Sequence, residues 1–184
     1  MRQQEIIAAQ RVVKAGSLSD FLGCWHKEKF FGGTSVKALE SKFSNKFGVK
    51  HAISVNSWTS GLVCALGAIG IEPGDEVITT PWTMSATAMA IVHWNGIPIF
   101  ADIDPDTYNL DPDSVRRAIT PKTKAILAAD IFGLPCDTAA LSQIAEEHGL
   151  RFLTDSAQAP GARIGQKYCG IQADIGGFSF NYHK

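Results

Sequence analysis

The chain has 184 residues, 45% of them hydrophobic and 19% charged, with a formal net charge of -1. This is the composition of a soluble globular protein, and so balanced a charge argues against a nucleic-acid partner, whose phosphates need a basic surface. No run of about 18 apolar residues is present, so no membrane span is expected, and a start with Glu5 and no signal-type apolar stretch points to a cytoplasmic address.

Residues 1–30 are expected to form an N-terminal helical segment, followed from residue 31 by one large domain. SVKALESKFSNKFG sets Val36, Leu39, Phe43 and Phe47 near helical spacing, with Gly48 as the stop. HAISV (51–55) reads as a short strand, NSWTS as a polar loop and GLVCALGAIG as a helix. EPGD is a turn and EVITT a strand. TMSATAMAIVHWN is helical and stops at Gly96, and IPIFADI is a strand. DPDSVRRAI is a helix opened by Asp111, with Pro112 in the first turn, where its missing N–H costs nothing. KAILAAD is a strand. In DTAALSQIAEEHG, Asp137 is the cap, Leu141, Ile144, Ala145 and His148 share a face, and Gly149 is the end. RFLTD is another strand. Strands alternating with helices predict an α/β protein, its largely parallel sheet sandwiched by helices. The four cysteines, Cys24, Cys64, Cys136 and Cys169, are scattered without a CxxC pair, so no metal site or redox motif is expected.

Ligands of such sheets bind beyond the carboxyl ends of the strands. After HAISV, the hydroxyl-rich NSWTS precedes a helix whose N–H groups and dipole favour a phosphate; an ordinary Ser/Thr cap explains the same residues. Neither GxxxxGK[ST] nor GxGxxG occurs, which removes support for a Rossmann-type dehydrogenase. After EVITT, Trp82 either faces the crevice or packs in the core. After RFLT, Asp155 is a strand-end carboxylate that needs a partner if buried, or a turn aspartate. DIGGFSFNYHK then brings Ser179 and Lys184, although a lone lysine is ordinarily solvated. Together, a phosphate cradle, an aromatic plate, a strand-end carboxylate and a lysine are the requirements of pyridoxal 5′-phosphate (PLP).

From about Phe31 onward the chain resembles the DegT/DnrJ/EryC1/StrS family of PLP-dependent sugar aminotransferases, which have the type I, aspartate-aminotransferase-like fold. The resemblance is carried by FGGTSVKALESKFSNKFGVKHAISV, GIEPGDEVITTPWTMSATAMAI, PIFADIDPDTYNLDP, ITPKTKAI, DSAQAPGA and FSFNYHK. It implies that Thr59 and Ser60 bind the phosphate, with Ser179 as a further ligand. It implies that Trp82 stacks on the ring, Asp155 pairs with the ring nitrogen and Gln158 contacts the 3-hydroxyl. Lys184 would join the cofactor as a Schiff base and act as the catalytic base. Trp58 is a departure, since the family often has glycine there.

The resemblance implies an aminotransferase that moves an amino group from glutamate or glutamine to a keto sugar, probably nucleotide-linked, in amino-sugar, polysaccharide or antibiotic biosynthesis. A homodimer is implied as well. Dehydratases of the family carry histidine in the lysine's place, so Lys184 favours transamination. A sugar dehydratase and a noncatalytic fragment of the fold are the alternatives. Family members continue past the lysine into a further strand and a small C-terminal domain, so the chain is expected to be an N-terminal portion.

Overall fold

The computed structural model describes residues 2–183. The chain divides into two compact units, Met1–Ser54 and Val55–Lys184.

The first unit holds α1 (Gln3–Ala15) and α2 (Thr34–Phe47), ended by Gly16 and Gly48 in the left-handed region. Asp20, in the segment between them, caps α2: its Oδ2 accepts the Ser35 N–H at 3.0 Å. A Cβ on Gly33 would lie 2.2 Å from that carboxylate, so the close approach requires glycine. Phe43 and Phe47, one turn apart, stack at 4.3 Å between ring centroids.

HAISV (51–55) is not a strand. It joins no ladder among the described residues. Ile53 is 83% exposed, and the Ser54 N–H and hydroxyl both go to Glu40 Oε1.

The second unit runs α3 (Trp58–Ala68), β1 (Glu76–Thr79), α4 (Ser85–His93), β2 (Ile97–Phe100), α5 (Pro112–Ala118), β3 (Thr123–Ala129), a 3-10 turn (Ile131–Gly133), α6 (Thr138–His148), β4 (Arg151–Asp155), the hairpin strands β5 (Arg163–Ile164) and β6 (Lys167–Tyr168), and β7 (Ile175–Gly177). The main sheet has the order β2-β1-β3-β4-β7, and every neighbouring pair is parallel. α3 begins earlier than NSWTS suggested. Ser57 is its cap, accepting the Ser60 N–H, so Trp58, Thr59 and Ser60 form the first turn.

Alternate residues of each strand feed two cores. Val77, Ala125, Leu127 and Leu153 pack with Leu62 and Leu66 of α3 and Ala90 and Ile91 of α4. Ile78, Ile126, Ala128 and Phe152 pack with Val115 of α5 and Leu141 and Ile144 of α6. Both faces are covered, which is why these strands read as unbroken apolar runs. His148, in the last turn of α6, is exposed rather than part of its buried face. No helix among the described residues is long and apolar enough to cross a membrane.

The chain passes from β1 outward to β2, then returns across β1 to β3. The strand order therefore reverses between β1 and β3, and the crevice at their carboxyl ends is where open α/β sheets bind ligands.

Candidate active site

Asp155 closes β4 at that end of the sheet and is 7% exposed. Its backbone carbonyl accepts the Asp130 N–H at 3.0 Å. Its carboxylate accepts three hydrogen bonds: Trp58 Nε1–H to Oδ1 at 2.7 Å, the Ala157 N–H to Oδ1 at 3.2 Å, and the Thr87 hydroxyl to Oδ2 at 2.8 Å. A buried charge needs such partners. A carboxylate has about four lone-pair positions, so one, on Oδ2, takes no protein donor among the described residues. Thr87 is itself in contact with the Thr83 hydroxyl at 3.0 Å.

Thr59 and Ser60 lie in the first turn of α3. The Ser60 N–H is bonded to Ser57 Oγ, and the two hydroxyls are 3.0 Å apart. The Trp58 and Thr59 N–H groups have no intrahelical acceptor, as first-turn donors must, so with the helix dipole they can hold an anion. Trp58 bridges this turn to Asp155, which brings the helix start and the carboxylate within one side chain's reach.

Gln158 is half-buried, and its Oε1 accepts the Phe132 N–H at 3.0 Å. Phe132 is held at φ 52° and is 74% exposed, a strained aromatic just past β3. Ser179 follows β7, and its Oγ accepts the Asn181 N–H at 3.2 Å. Trp82 follows β1, is 47% exposed and is therefore not a core residue; its ring centroid is 6.0 Å from that of Tyr108. Lys184 lies outside the described residues.

Sequence reasoning missed Ser57, Thr87 and Tyr108, and it missed what Trp58 does. Only Ser57 carried a signal, as a serine just ahead of a helical run. A second buried carboxylate, Asp130, accepts the Cys136 N–H at 2.8 Å and the Ser156 hydroxyl at 2.5 Å, bracing the turn after Asp155. Burial pushes the Cys169 thiol up to about 12 and the Cys136 thiol well above its usual value, with the Asp130 charge adding to both. Both thiols are protonated at neutral pH, so neither is a nucleophile.

A helix start with free N–H groups, a buried carboxylate with one open lone pair and an exposed ring thus lie at one end of the parallel sheet of an α/β protein. The chain belongs to the DegT/DnrJ/EryC1/StrS aminotransferase family, whose model matches residues 14–184. It is 45% identical over 148 residues to the spore coat polysaccharide biosynthesis protein SpsC of Bacillus subtilis, covering 80% of this chain and 38% of that protein. It is 41% identical over 151 residues to the UDP-N-acetyl-3-dehydro-alpha-D-glucosamine 3-aminotransferase of Acidithiobacillus ferrooxidans, covering 82% of this chain and 41% of that one. Its fold is similar to NtdA from Bacillus subtilis, solved with bound cofactor PMP, with a TM-score of 0.79 and 29% identity over 92% of this chain and 37% of that one. The chain thus spans about two-fifths of the length of these relatives.

Proposed function

We propose that the protein is a PLP-dependent aminotransferase that moves an amino group from glutamate or glutamine to a nucleotide-linked keto sugar, working in the cytoplasm as a homodimer. The observation that carries this reading is Asp155: a buried strand-end carboxylate with three donors and one open lone pair on Oδ2. Asp155 would accept the ring N–H of the cofactor there. The Trp58 and Thr59 N–H groups, with the hydroxyls of Thr59, Ser60 and Ser179, hold the phosphate. Trp82 would cover a ring face, and the Gln158 amide, whose Oε1 is held by the Phe132 N–H, would donate to the 3-hydroxyl. The relatives' names, a UDP-sugar 3-aminotransferase and a protein with PMP bound, support the same chemistry.

When bound, PLP supplies an electron sink for the negative charge that forms at the amino-acid α-carbon. Asp155 keeps the ring nitrogen protonated, which maintains that sink. Lys184 Nζ would hold the cofactor and, as a free amine, would take up and give back the proton at the amino-acid α-carbon. The test is borohydride reduction of the PLP-loaded intact protein, followed by peptide mass mapping. The reduced cofactor should map to Lys184. Mapping to another lysine, such as Lys167, or conversion of a keto sugar without any amino donor, would overturn the reading.

A further inference from the structure

We propose that Trp58 is a positioning residue that sets the orientation of the Asp155 carboxylate, so that Oδ2 alone is offered to the cofactor's ring nitrogen. The inference rests on the role of Asp155 given above. An indole N–H is a donor only, so the 2.7 Å bond from Trp58 Nε1 cannot reverse its sense. With the Ala157 N–H it fills Oδ1, and Thr87 takes one of the two positions on Oδ2. A turn of the carboxylate about its last bond would break both the Trp58 and the Thr87 bonds at once.

The indole is itself fixed by a slot built from two glycines. Gly177 is the residue paired with Asp155 on the neighbouring strand, so a ring lying over Gly177 reaches the carboxylate beside it. A Cβ on Gly177 would lie 2.1 Å from the six-membered ring of Trp58, and one on Gly61, a turn along α3, would lie 2.4 Å from it. Neither glycine has a positive φ. The backbone would accept a side chain at both places; the indole would not. Three elements, α3, β4 and β7, are thus shaped around one ring whose polar atom ends on the carboxylate.

The test is PLP affinity of the intact apoprotein, measured by equilibrium dialysis, for wild type, Trp58→Phe, Asp155→Ala and the double variant. Phenylalanine keeps a ring in the slot and removes the N–H. Trp58→Phe should weaken PLP about tenfold, as for a lost hydrogen bond to a charged group. Asp155→Ala should weaken it further, and the double variant should be no weaker than Asp155→Ala alone. Wild-type affinity in Trp58→Phe would overturn the proposal. So would an equal loss from Trp58→Phe in both backgrounds, because that is a packing effect. Wild-type affinity in Asp155→Ala would instead remove the role of Asp155, and this proposal with it. Gly177→Ala is the second arm. Its methyl meets the indole, so it should weaken PLP in the wild-type background and add nothing to Trp58→Gly; undiminished affinity in Gly177→Ala also overturns the proposal.

Discussion

Replacing Thr87 with valine keeps the shape of a fully buried side chain and removes one hydroxyl. Asp155 Oδ2 then loses its protein donor, while Oδ1 keeps Trp58 and Ala157. A hydrogen bond to a charged group contributes about 1.5–3 kcal/mol. Thr83, the other partner of Thr87, is only half-buried and can turn to water, so its loss adds little. The extra methyl offsets about 0.8 kcal/mol, leaving a net destabilisation of about 1–2 kcal/mol. With m of about 2 kcal/mol/M in urea, the unfolding midpoint of the intact apoprotein should fall by about 0.5–1 M at unchanged m. Thr154→Val is the paired control. Thr154 adjoins Asp155 in the same strand, is 2% exposed, and its Oγ1 has no hydrogen-bond partner among the described residues. The same chemical change there removes an unsatisfied buried hydroxyl and should raise stability by about 1 kcal/mol. The assay is urea unfolding followed by circular dichroism. Thr87→Val as stable as wild type, or Thr154→Val falling as far as Thr87→Val, would refute the hydrogen-bond reasoning and leave only a generic cost of altering buried threonines.

Asp155→Ala should leave the cofactor able to attach but slow amino transfer by at least about 10²–10³-fold, the usual loss for one preorganised polar partner; wild-type single-turnover rates would remove its role. Trp82→Ala should weaken PLP retention during gel filtration, while Trp82→Phe keeps most of it, since stacking is worth about 0.5–1.5 kcal/mol beyond burial; equal retention in all three proteins would disprove the stacking role. Residue-resolved alkylation of the native protein should label the exposed Cys24 and Cys64 and spare the buried Cys136 and Cys169 until denaturant is added. Those two thiols stay protonated in the folded protein, Cys169 up to about 12, but ionise near 9.0 in the unfolded chain. The unfolded state therefore gives up protons first, and stability present below about pH 9 is lost as pH rises toward 12. Urea midpoints across that range should fall less steeply in Cys169→Ala than in wild type; identical slopes would show that the thiol does not contribute.

The helix ends were the most readable part of the chain. Asp111 accepts the N–H groups of Asp113 and Ser114, Asp137 accepts that of Ala140, and Gly48 and Gly149 stop their helices at φ 67° and 65°. Each is a local signal, complete within a few residues. HAISV failed for the opposite reason: its apolar composition is local, but a strand exists only with a neighbour. β5 and β6, at two residues each, and β7, at three, are too short to display a period. The site divides in the same way. Asp155 was legible because it follows an apolar strand, whereas Thr87, in the first turn of α4, gave no sign of the carboxylate it would meet from a distant strand. Trp58 was visible as an oddity at a helix start, but its partner Asp155 and its slot at Gly177 are supplied by β4 and β7.

The route of the chain through the sheet also sets an order of assembly. It leaves β3 at Ala129 and returns beside it at Arg151, with only α6 and its turns between. It leaves β1 at Thr79 and pairs with β3 only from Thr123, after α4, β2 and α5 have been laid down. Of these two excursions the shorter closes at lower entropic cost, so β4 pairs with β3 more readily than β1 does. Substitutions at Leu141 or Phe152 should then slow refolding, while those at Val77 should act mainly by hastening unfolding. The strand that ends in Asp155 would be in place before the segment bearing Trp82 arrives.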